Sequence, residues 1–228
     1  IDLIATHLTP GRKISQIHYG GGSPTAIPIH YLRELNEHLL SLMETINRPE
    51  IAIECHPGYL DEHAWAELID CRFSRYSLGV QDFDEEVLRI VHREPPLLPV
   101  SEIVSMLHDA GATVNMDLLF GLPHQTAESF ARSVRMAAEI HPERIVTFSY
   151  GHVPWVHKRQ LILERAGLPE PGEKQAMYRR AADILHGEGY QSIGMDHFVL
   201  PSDELSIALD EGRLRRNFQG YCTLRTTA

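Results

Sequence analysis

Short apolar segments recur along the chain, and segments with the spacing of amphipathic helices separate them. The apolar segments are rich in Ile, Val, Leu, Phe and Tyr and are mostly continuous, which is typical of parallel strands covered on both faces. The strands predicted in this way are Ile14–Tyr19, Ile51–Cys55, Tyr76–Val80, Val114–Phe120, Ile145–Tyr150 and Gln191–Met195. Between them, apolar residues fall three and four apart in IHYLRELNEHLLSLMETI, EIVSMLHDAGA, AESFARSVRMAAEI and EKQAMYRRAADILHGEG. The alternation predicts an α/β fold with a parallel sheet or barrel, in one domain over residues 1–228.

Polar residues and glycines collect where the predicted strands end. In parallel α/β folds, ligands bind at the carboxyl ends of the strands. The residues at these positions are Gly20–Ser23, Glu54–His56, Gln81–Asp82, Asp117, Tyr150–His152 and Met195–His197. The sequence therefore predicts one binding site along this edge.

The segment HYGGGSPT, residues 18–25, contains three consecutive glycines directly after the first strand. Glycines at a strand end let a ligand approach the backbone closely, and Ser23 adds a hydroxyl group. The segment matches neither a Walker loop nor the GxGxxG pattern. A tight turn without a ligand is the alternative interpretation.

Four further polar side chains are candidates for the same site. Glu54 and Asp117 lie inside apolar runs, where a carboxylate is costly unless it is paired or at a solvated strand end. The amide of Gln81 can both donate and accept hydrogen bonds. Arg93 offers a guanidinium fork for a carboxylate, although a solvated surface position is the alternative.

Composition narrows the class of partner. The chain has 228 residues and a formal net charge of −10, and its one basic block is RLRR at 213–216. This balance argues against nucleic acid as the main partner. No apolar run reaches the length of a membrane-spanning helix, and the first residues do not resemble a signal peptide. The three cysteines, Cys55, Cys71 and Cys222, are too few and too scattered for a disulfide framework, which favours a cytoplasmic location.

A metal site is a competing hypothesis. Three histidines each follow a predicted strand and could bind zinc or manganese together with a nearby carboxylate, as in a metal-dependent hydrolase. The residues concerned are His56, His152 and His197, with Glu54, Asp117 or Asp196. No HxH or HExxH pair supports this hypothesis.

Several blocks of the sequence resemble successive motifs of the oxygen-independent coproporphyrinogen III oxidases, a family of radical S-adenosylmethionine (SAM) enzymes of haem biosynthesis. The blocks are HYGGGSPT, IAIECHP, SLGVQDFDEEVLRIVHRE, NMDLLFGLPHQTAESF, IGMDHF and RNFQGYCT. The resemblance covers nearly the whole chain and implies a partial parallel (β/α)6 barrel. It also implies two SAM molecules and a [4Fe–4S] cluster, and a radical that starts the decarboxylation of coproporphyrinogen III propionates to vinyl groups.

The same resemblance assigns cofactor contacts residue by residue. It implies that Gly21 and Glu54 contact the cluster-bound SAM. The residues implied to contact the second SAM are Gly22, Ser23, Gln81, Arg93, Asp117 and Gly151. Ser23 stands where threonine is usual in the family, and Gly151 where alanine is common. The residues do not identify a catalytic group.

One departure from the family pattern is large. The cluster cysteines, spaced Cys-x3-Cys-x2-Cys in the family, are absent, and so is the family's C-terminal helical part. We therefore expect this chain to be an internal piece of the catalytic barrel, inactive alone, with the cluster ligands outside it. The expected partners are a tetrapyrrole substrate and an electron donor, and the expected state is a monomer.

Two points stay open from the residues alone. A cluster-free relative that binds haem, porphyrin or SAM without catalysis is the alternative to the enzyme. The carboxylates of a tetrapyrrole need cationic partners, and Lys158, Arg215 and Arg216 are available for this, although each could equally be an ordinary surface residue.

Overall fold

The computed structural model describes residues 1–7, 11–217 and 220–223. Its strands are β1 (Ile14–Tyr19), β2 (Thr45–Cys55), β3 (Arg75–Gln81), β4 (Thr113–Phe120), β5 (Arg144–Ser149), β6 (Gln191–Gly194), β7 (His197–Val199), β8 (Leu214–Asn217) and β9 (Gly220–Thr223). Its α-helices are α1 (Asp2–Ala5), α2 (Ile29–Leu42), α3 (Glu62–Asp70), α4 (Glu85–Ile90), α5 (Val100–Asp109), α6 (Ala127–Glu139), α7 (Leu161–Gly167), α8 (Pro171–Gly187) and α9 (Glu204–Asp210). The predicted α/β class is confirmed.

The described residues form two compact units. The first contains the described residues among 1–78 and 97–114, and the second contains those among 79–96 and 115–223. In the first unit, β1 pairs with β2 and β2 pairs with β3, both in parallel. Because these strands are parallel, their carboxyl ends share one edge, as the sequence predicts.

A buried polar contact anchors the end of β1 in the first unit. The Tyr19 hydroxyl donates to Asn36 Oδ1 of α2 at 3.0 Å, and Asn36 Nδ2 donates to the Cys71 carbonyl at 3.1 Å. Burial, and to a smaller extent the charge of the nearby Cys71, raises the pKa of Tyr19 to about 12. The phenol therefore stays protonated and donates this hydrogen bond. The residue immediately before the glycine segment therefore has a defined position.

In the second unit, β4 and β5 pair in parallel, and α6 packs against α8. Helix α6 begins with a capping box, in which Thr126 and Ser129 exchange side-chain to backbone hydrogen bonds. The buried guanidinium of Arg144 at the start of β5 donates to Asp203 at 2.8 Å and to Glu204 at 3.1 Å. This pairing fixes the loop before α9 to the sheet.

Two predicted elements need correction. The helix predicted over IHYLRELNEHLLSLMETI ends at Leu42, because residues from Thr45 onward already belong to β2. The predicted strand Gln191–Met195 ends at Gly194, and the chain reverses into β7, which lies antiparallel between β5 and β6. The reversal uses left-handed backbone at Gly194 (φ +147°) and Met195 (φ 50°).

Two expectations from the sequence remain, one on the RNFQGYCT block and one on membrane-spanning helices. Within the RNFQGYCT block, Phe218 and Gln219 lie outside the described residues. Among the helices of the described ranges, none is both long and apolar enough to cross a membrane.

Candidate functional site

The carboxylate of Glu54 lies at the shared edge of β1 and β2. In the parallel register His18 is opposite Ala52 and Tyr19 is opposite Ile53, which brings the ends of both strands together. His18 Nε2 donates to Glu54 Oε1 at 2.9 Å. The Glu54 side chain is 42% exposed, so its carboxylate can still bind a ligand from solvent.

Gly20 leaves the space that this pair of side chains occupies. A Cβ atom at Gly20 would lie 2.7 Å from Glu54 Oε1 and 2.8 Å from His18 Nε2, closer than real Cβ atoms come to other heavy atoms. The first glycine of the segment therefore makes room for the protein's own side chains, which the sequence pattern alone did not show.

The next two glycines differ from Gly20. Gly21 and Gly22 have φ of +89° and +100°, and the space where their Cβ atoms would stand is open for 4 Å. Left-handed backbone favours glycine, and the open space leaves the peptide groups accessible. Ser23 follows as the residue before a short 3-10 helix, Pro24–Ala26. An open peptide segment beside an exposed carboxylate fits a ligand with ammonium or hydroxyl donors, as SAM has.

In the second unit, Asp117 lies on β4 with a polar neighbour that the sequence reading missed. Asn115 Nδ2 donates to Asp117 Oδ1 at 2.8 Å. The two residues are two apart on the strand and so share one face. In the sequence, two polar residues spaced i, i+2 inside an apolar run are the pattern from which Asn115 could have been predicted. Asn115 is buried and holds the partly exposed carboxylate in one orientation.

The predicted residue Gln81 occupies a strained position at the end of β3. Its φ is 70°, an uncommon conformation for a residue with a side chain. Such strain persists where the surrounding structure imposes it. Here the next residue, Asp82, supplies the anchor.

Asp82 belongs to the scaffold and not to the open edge predicted from the sequence. It is 2% exposed and accepts hydrogen bonds from the backbone amides of Phe83 and Asp84, at 2.7 and 3.0 Å. Gln125 Nε2 donates to its other oxygen, Oδ2, at 2.6 Å, and the Ser133 hydroxyl donates to Oδ1 together with the two amides. This saturated carboxylate fixes the loop that leaves β3.

Arg93 lies just after α4, as predicted, and its guanidinium donates to the backbone carbonyl of Gly79 in β3. It also lines an open cavity of about 680 Å³ together with residues of α4 and the segment after it, among them Glu86 and Arg89. The other seven residues that the resemblance assigns to SAM are not in the lining of this cavity. The contact of Arg93 with a second SAM therefore stays a prediction.

Gly151 follows β5 at the carboxyl edge of the second unit, because the Tyr150 amide donates to the Phe120 carbonyl at the end of β4. A Cβ at Gly151 would meet nothing within 4 Å, so its backbone is open to a ligand. Lys174, which the sequence reading missed, donates from Nζ to the Tyr150 carbonyl at 2.8 Å. Burial lowers the pKa of Lys174.

The histidines of the competing metal hypothesis have separate partners. His56 Nδ1 accepts from the Gly58 amide at 3.1 Å, and its ring stacks on Tyr59. His152 lies 3.5 Å from Glu164, and His197 lies 2.7 Å from Asp196. Within the described ranges, no group of three or more His, Cys, Asp or Glu side chains is placed to hold a metal ion.

The cysteines do not fit a [4Fe–4S] cluster. Cys55 and Cys71 are buried, and burial, with a further contribution from Glu54, raises the pKa of the Cys55 thiol far above its ordinary value. A cluster ligand must be a thiolate, which this environment opposes. Among the described residues, Cys55 and Cys71 are therefore unsuited as cluster ligands, and no group of three or more potential metal ligands is present.

Comparison with known proteins gives a consistent result. Residues 1–137 match the Radical SAM superfamily. The chain is 37% identical over 222 residues to the oxygen-independent coproporphyrinogen III oxidase of Paracoccus denitrificans, covering 97% of this chain and 49% of that protein. It is 40% identical over 217 residues to the enzyme of the same name from Escherichia coli, covering 95% and 48%. The chain thus spans about half the length of the curated relatives it matches.

Solved structures agree with the sequence matches. The coproporphyrinogen III oxidase of Escherichia coli, described as a radical SAM enzyme, superposes with a TM-score of 0.86 and 38% identity over 97% of this chain and 52% of that one. The archaeal Elp3 of Methanocaldococcus infernus, with 17% identity and a TM-score of 0.54 over 79% of this chain and 47% of that one, shares the fold. The predicted α/β partial barrel of radical SAM type is confirmed. The chain belongs to the radical SAM superfamily.

Proposed function

We propose that the protein carrying this chain is an oxygen-independent coproporphyrinogen III oxidase of haem biosynthesis, and that residues 1–228 form its SAM-binding barrel core. The observation that carries the proposal is the similarity to the Escherichia coli enzyme, at 38% identity and a TM-score of 0.86 over 97% of the chain. Superfamily membership implies SAM and a [4Fe–4S] cluster as cofactors. We assign the cluster ligands to protein outside this chain, because the cysteines described above do not fit them.

The first unit holds the cluster-bound SAM in this proposal. When bound there, SAM would supply the radical chemistry that removes a hydrogen atom from the substrate. Glu54 accepts hydrogen bonds from donor groups of the ligand, and His18 keeps the carboxylate turned toward the edge of the sheet. The open peptide groups around Gly21 approach the ligand without a side chain between them.

The second SAM is assigned to the remaining residues of the motif set, which are Gly22, Ser23, Gln81, Arg93, Asp117 and Gly151. The geometry that supports this assignment is local to each unit. Asn115 orients the Asp117 carboxylate as an acceptor, and Asp82 fixes the backbone beside Gln81. Gly151 presents a bare backbone.

The substrate in this proposal is a tetrapyrrole, coproporphyrinogen III. Each converted propionate loses one hydrogen atom, one CO2 and one electron, and a vinyl group remains. SAM would supply the acceptor of the hydrogen atom, and a separate electron acceptor would take the electron. We further propose a monomeric, cytoplasmic protein that depends on an electron donor for the cluster.

The test is an anaerobic assay of the natural full-length protein with its cluster reconstituted. We expect conversion of coproporphyrinogen III to protoporphyrinogen IX, and two SAM molecules bound per chain in equilibrium dialysis. Glu54→Gln and Asp117→Asn should each weaken SAM binding by about tenfold, since each removes a charged acceptor. Glu62→Gln and Asp109→Asn, at exposed helix positions, are the matched controls and should change neither quantity.

Each result separates a different part of the proposal. One SAM per chain would reject the second site and leave the first. Binding of SAM without turnover would reject the oxidase and favour a relative that binds SAM or porphyrin without catalysis. Equal effects of the site variants and their controls would reject the assignment of Glu54 and Asp117.

A further inference from the structure

A cluster of polar and aromatic side chains in the second unit lies outside the residues assigned to SAM. Its base is the reversal between β6 and β7. There the Asp196 carbonyl accepts from the Thr147 amide of β5 at 2.9 Å, and Asp196 Oδ1 accepts from His197 Nδ1 at 2.7 Å. The first contact ties the reversal to the carboxyl half of β5, and the second sets the orientation of the His197 ring.

The β8–β9 hairpin supplies the other half of the cluster. The ring of Tyr221 in β9 stands edge-on to His197, with ring centroids 5.0 Å apart. On β8, Arg216 places its guanidinium carbon 5.7 Å from the centre of the same tyrosine ring. One aromatic ring therefore contacts two groups that can carry positive charge, His197 and Arg216.

Two glycines leave room for the His197 and Tyr221 side chains of this cluster. A Cβ at Gly220 would lie 3.2 Å from His197 Nε2, and a Cβ at Gly194 would collide with the Tyr221 hydroxyl. Both glycines have positive φ, at +140° and +147°, so side chains are disfavoured there for backbone reasons as well. No side chain at either position therefore crowds His197 Nε2 or the Tyr221 hydroxyl.

The electrostatics favour a bound anion. With Nδ1 donating to a carboxylate, Nε2 is the ring atom left to face a ligand, and the doubly protonated ring donates a hydrogen bond from it. Burial would raise the pKa of Asp196, but the hydrogen bond and charge of His197, with a smaller contribution from Arg216, lower it. Asp196 is therefore ionised, and Arg216 is exposed to solvent. Guanidinium and imidazolium donors together match a carboxylate.

We propose that His197 Nε2 and the Arg216 guanidinium form a carboxylate-binding subsite that takes one propionate of the tetrapyrrole substrate, with Asp196 and Tyr221 as positioning residues. This inference rests on the proposed function for the identity of the ligand. The neighbouring Arg215 is excluded from the subsite. Successive residues of a strand point to opposite faces, and its guanidinium donates to the carbonyls of Gly212 and Leu214.

The test is a fluorescence titration of the full-length protein with coproporphyrin III, the stable oxidised form of the substrate. Arg216→Gln should weaken binding by about tenfold, since it removes a charge-assisted hydrogen bond, while Arg215→Gln should not change it. His197→Asn keeps a donor near Asp196 but loses the one at Nε2, and should weaken binding similarly. His197→Gln, whose amide reaches the Nε2 position, should restore part of it.

A cationic porphyrin of similar size, tetra(N-methylpyridyl)porphyrin, is the ligand control, and its affinity should not fall in any of these variants. Equal loss for Arg215→Gln and Arg216→Gln would overturn the subsite as a general charge effect. Unchanged affinity in Arg216→Gln and His197→Asn would also overturn it. Wild-type turnover is measured in parallel, so a failed subsite with intact turnover leaves the oxidase standing. Absent turnover rejects the oxidase even where anionic porphyrin binds as expected.

Discussion

Two carboxylates at the ends of strands, Glu54 and Asp82, have opposite environments. Glu54 is 42% exposed and accepts a hydrogen bond from His18. Asp82 is 2% exposed and accepts from two backbone amides, an amide side chain and a hydroxyl. A carboxylate whose acceptor sites are filled inside the protein supports the fold, whereas an exposed one retains capacity for a ligand.

This contrast changes how polar residues at a strand end are interpreted. Gln81 and Asp82 are adjacent and equally polar in the sequence, yet the structure separates their roles. Asp82 is buried in the scaffold, and Gln81 holds a left-handed backbone beside it. Accessibility and hydrogen-bond saturation, which depend on the packing of distant residues such as Ser133, decide between the two roles.

Removing the Asp82 carboxylate is the most direct test of the contrast between Glu54 and Asp82. Asp82→Ala should lower the free energy of unfolding by about 3 kcal/mol, because it leaves several buried donors without an acceptor. Urea denaturation measures this loss. Asp84→Ala, which removes the exposed cap of α4, is the control and should cost about 1 kcal/mol. Similar costs for both would contradict the scaffold role of Asp82.

Gly20→Ala tests the open side of the comparison. The added Cβ would displace Glu54 or His18, so SAM affinity of the full-length protein should fall by at least about tenfold, or about 1.4 kcal/mol. Gly20 has no left-handed φ, so backbone strain does not confuse the result. Gly172→Ala, where a Cβ meets open space, should leave SAM affinity unchanged. Retained affinity in Gly20→Ala would show that the Glu54–His18 pair is not needed.

Glu54→Gln sharpens the comparison with Asp82 through stability. A half-exposed carboxylate contributes little to folding, so the free energy of unfolding should change by less than about 0.5 kcal/mol. The measurement is the same urea denaturation as for Asp82→Ala. A loss comparable to that at Asp82 would place Glu54 in the scaffold and not in the site.

Asp196 is intermediate in exposure between Glu54 and Asp82, and the pH dependence of stability tests its pairing with His197. Because its pKa is lowered in the folded state, its contribution to stability is present above the ordinary aspartate pKa, about 4, and is lost as the pH falls through the folded-state value. We expect Asp196→Asn to lower stability at pH 6 by less than about 1 kcal/mol and to reduce the loss between pH 5 and 3. Asp210→Asn, at an exposed helix end, should leave that pH dependence unchanged. An identical pH dependence in wild type and Asp196→Asn would contradict a stabilising pairing of Asp196 with His197.

The sequence by itself determined the α/β class and most strand positions, and its motifs supplied the residues that we propose for SAM binding. Parallel strands leave long apolar runs, and their ends carry the polar residues, so both are visible without coordinates. Strand β1 coincides with its predicted bounds, helix α2 begins at its predicted first residue, and β4 differs from its predicted start by a single residue.

Only the tertiary structure decided which polar residues are open and which are saturated. The steric role of Gly20 depends on two side chains, one of them 34 positions away in the chain, and the cluster around His197 brings together β5, β7 and β9. The antiparallel β7 likewise depends on left-handed backbone at Met195, a conformation that a methionine in the sequence does not predict. Contacts between residues distant in sequence carry no local pattern, and for this reason they had to be read from the fold.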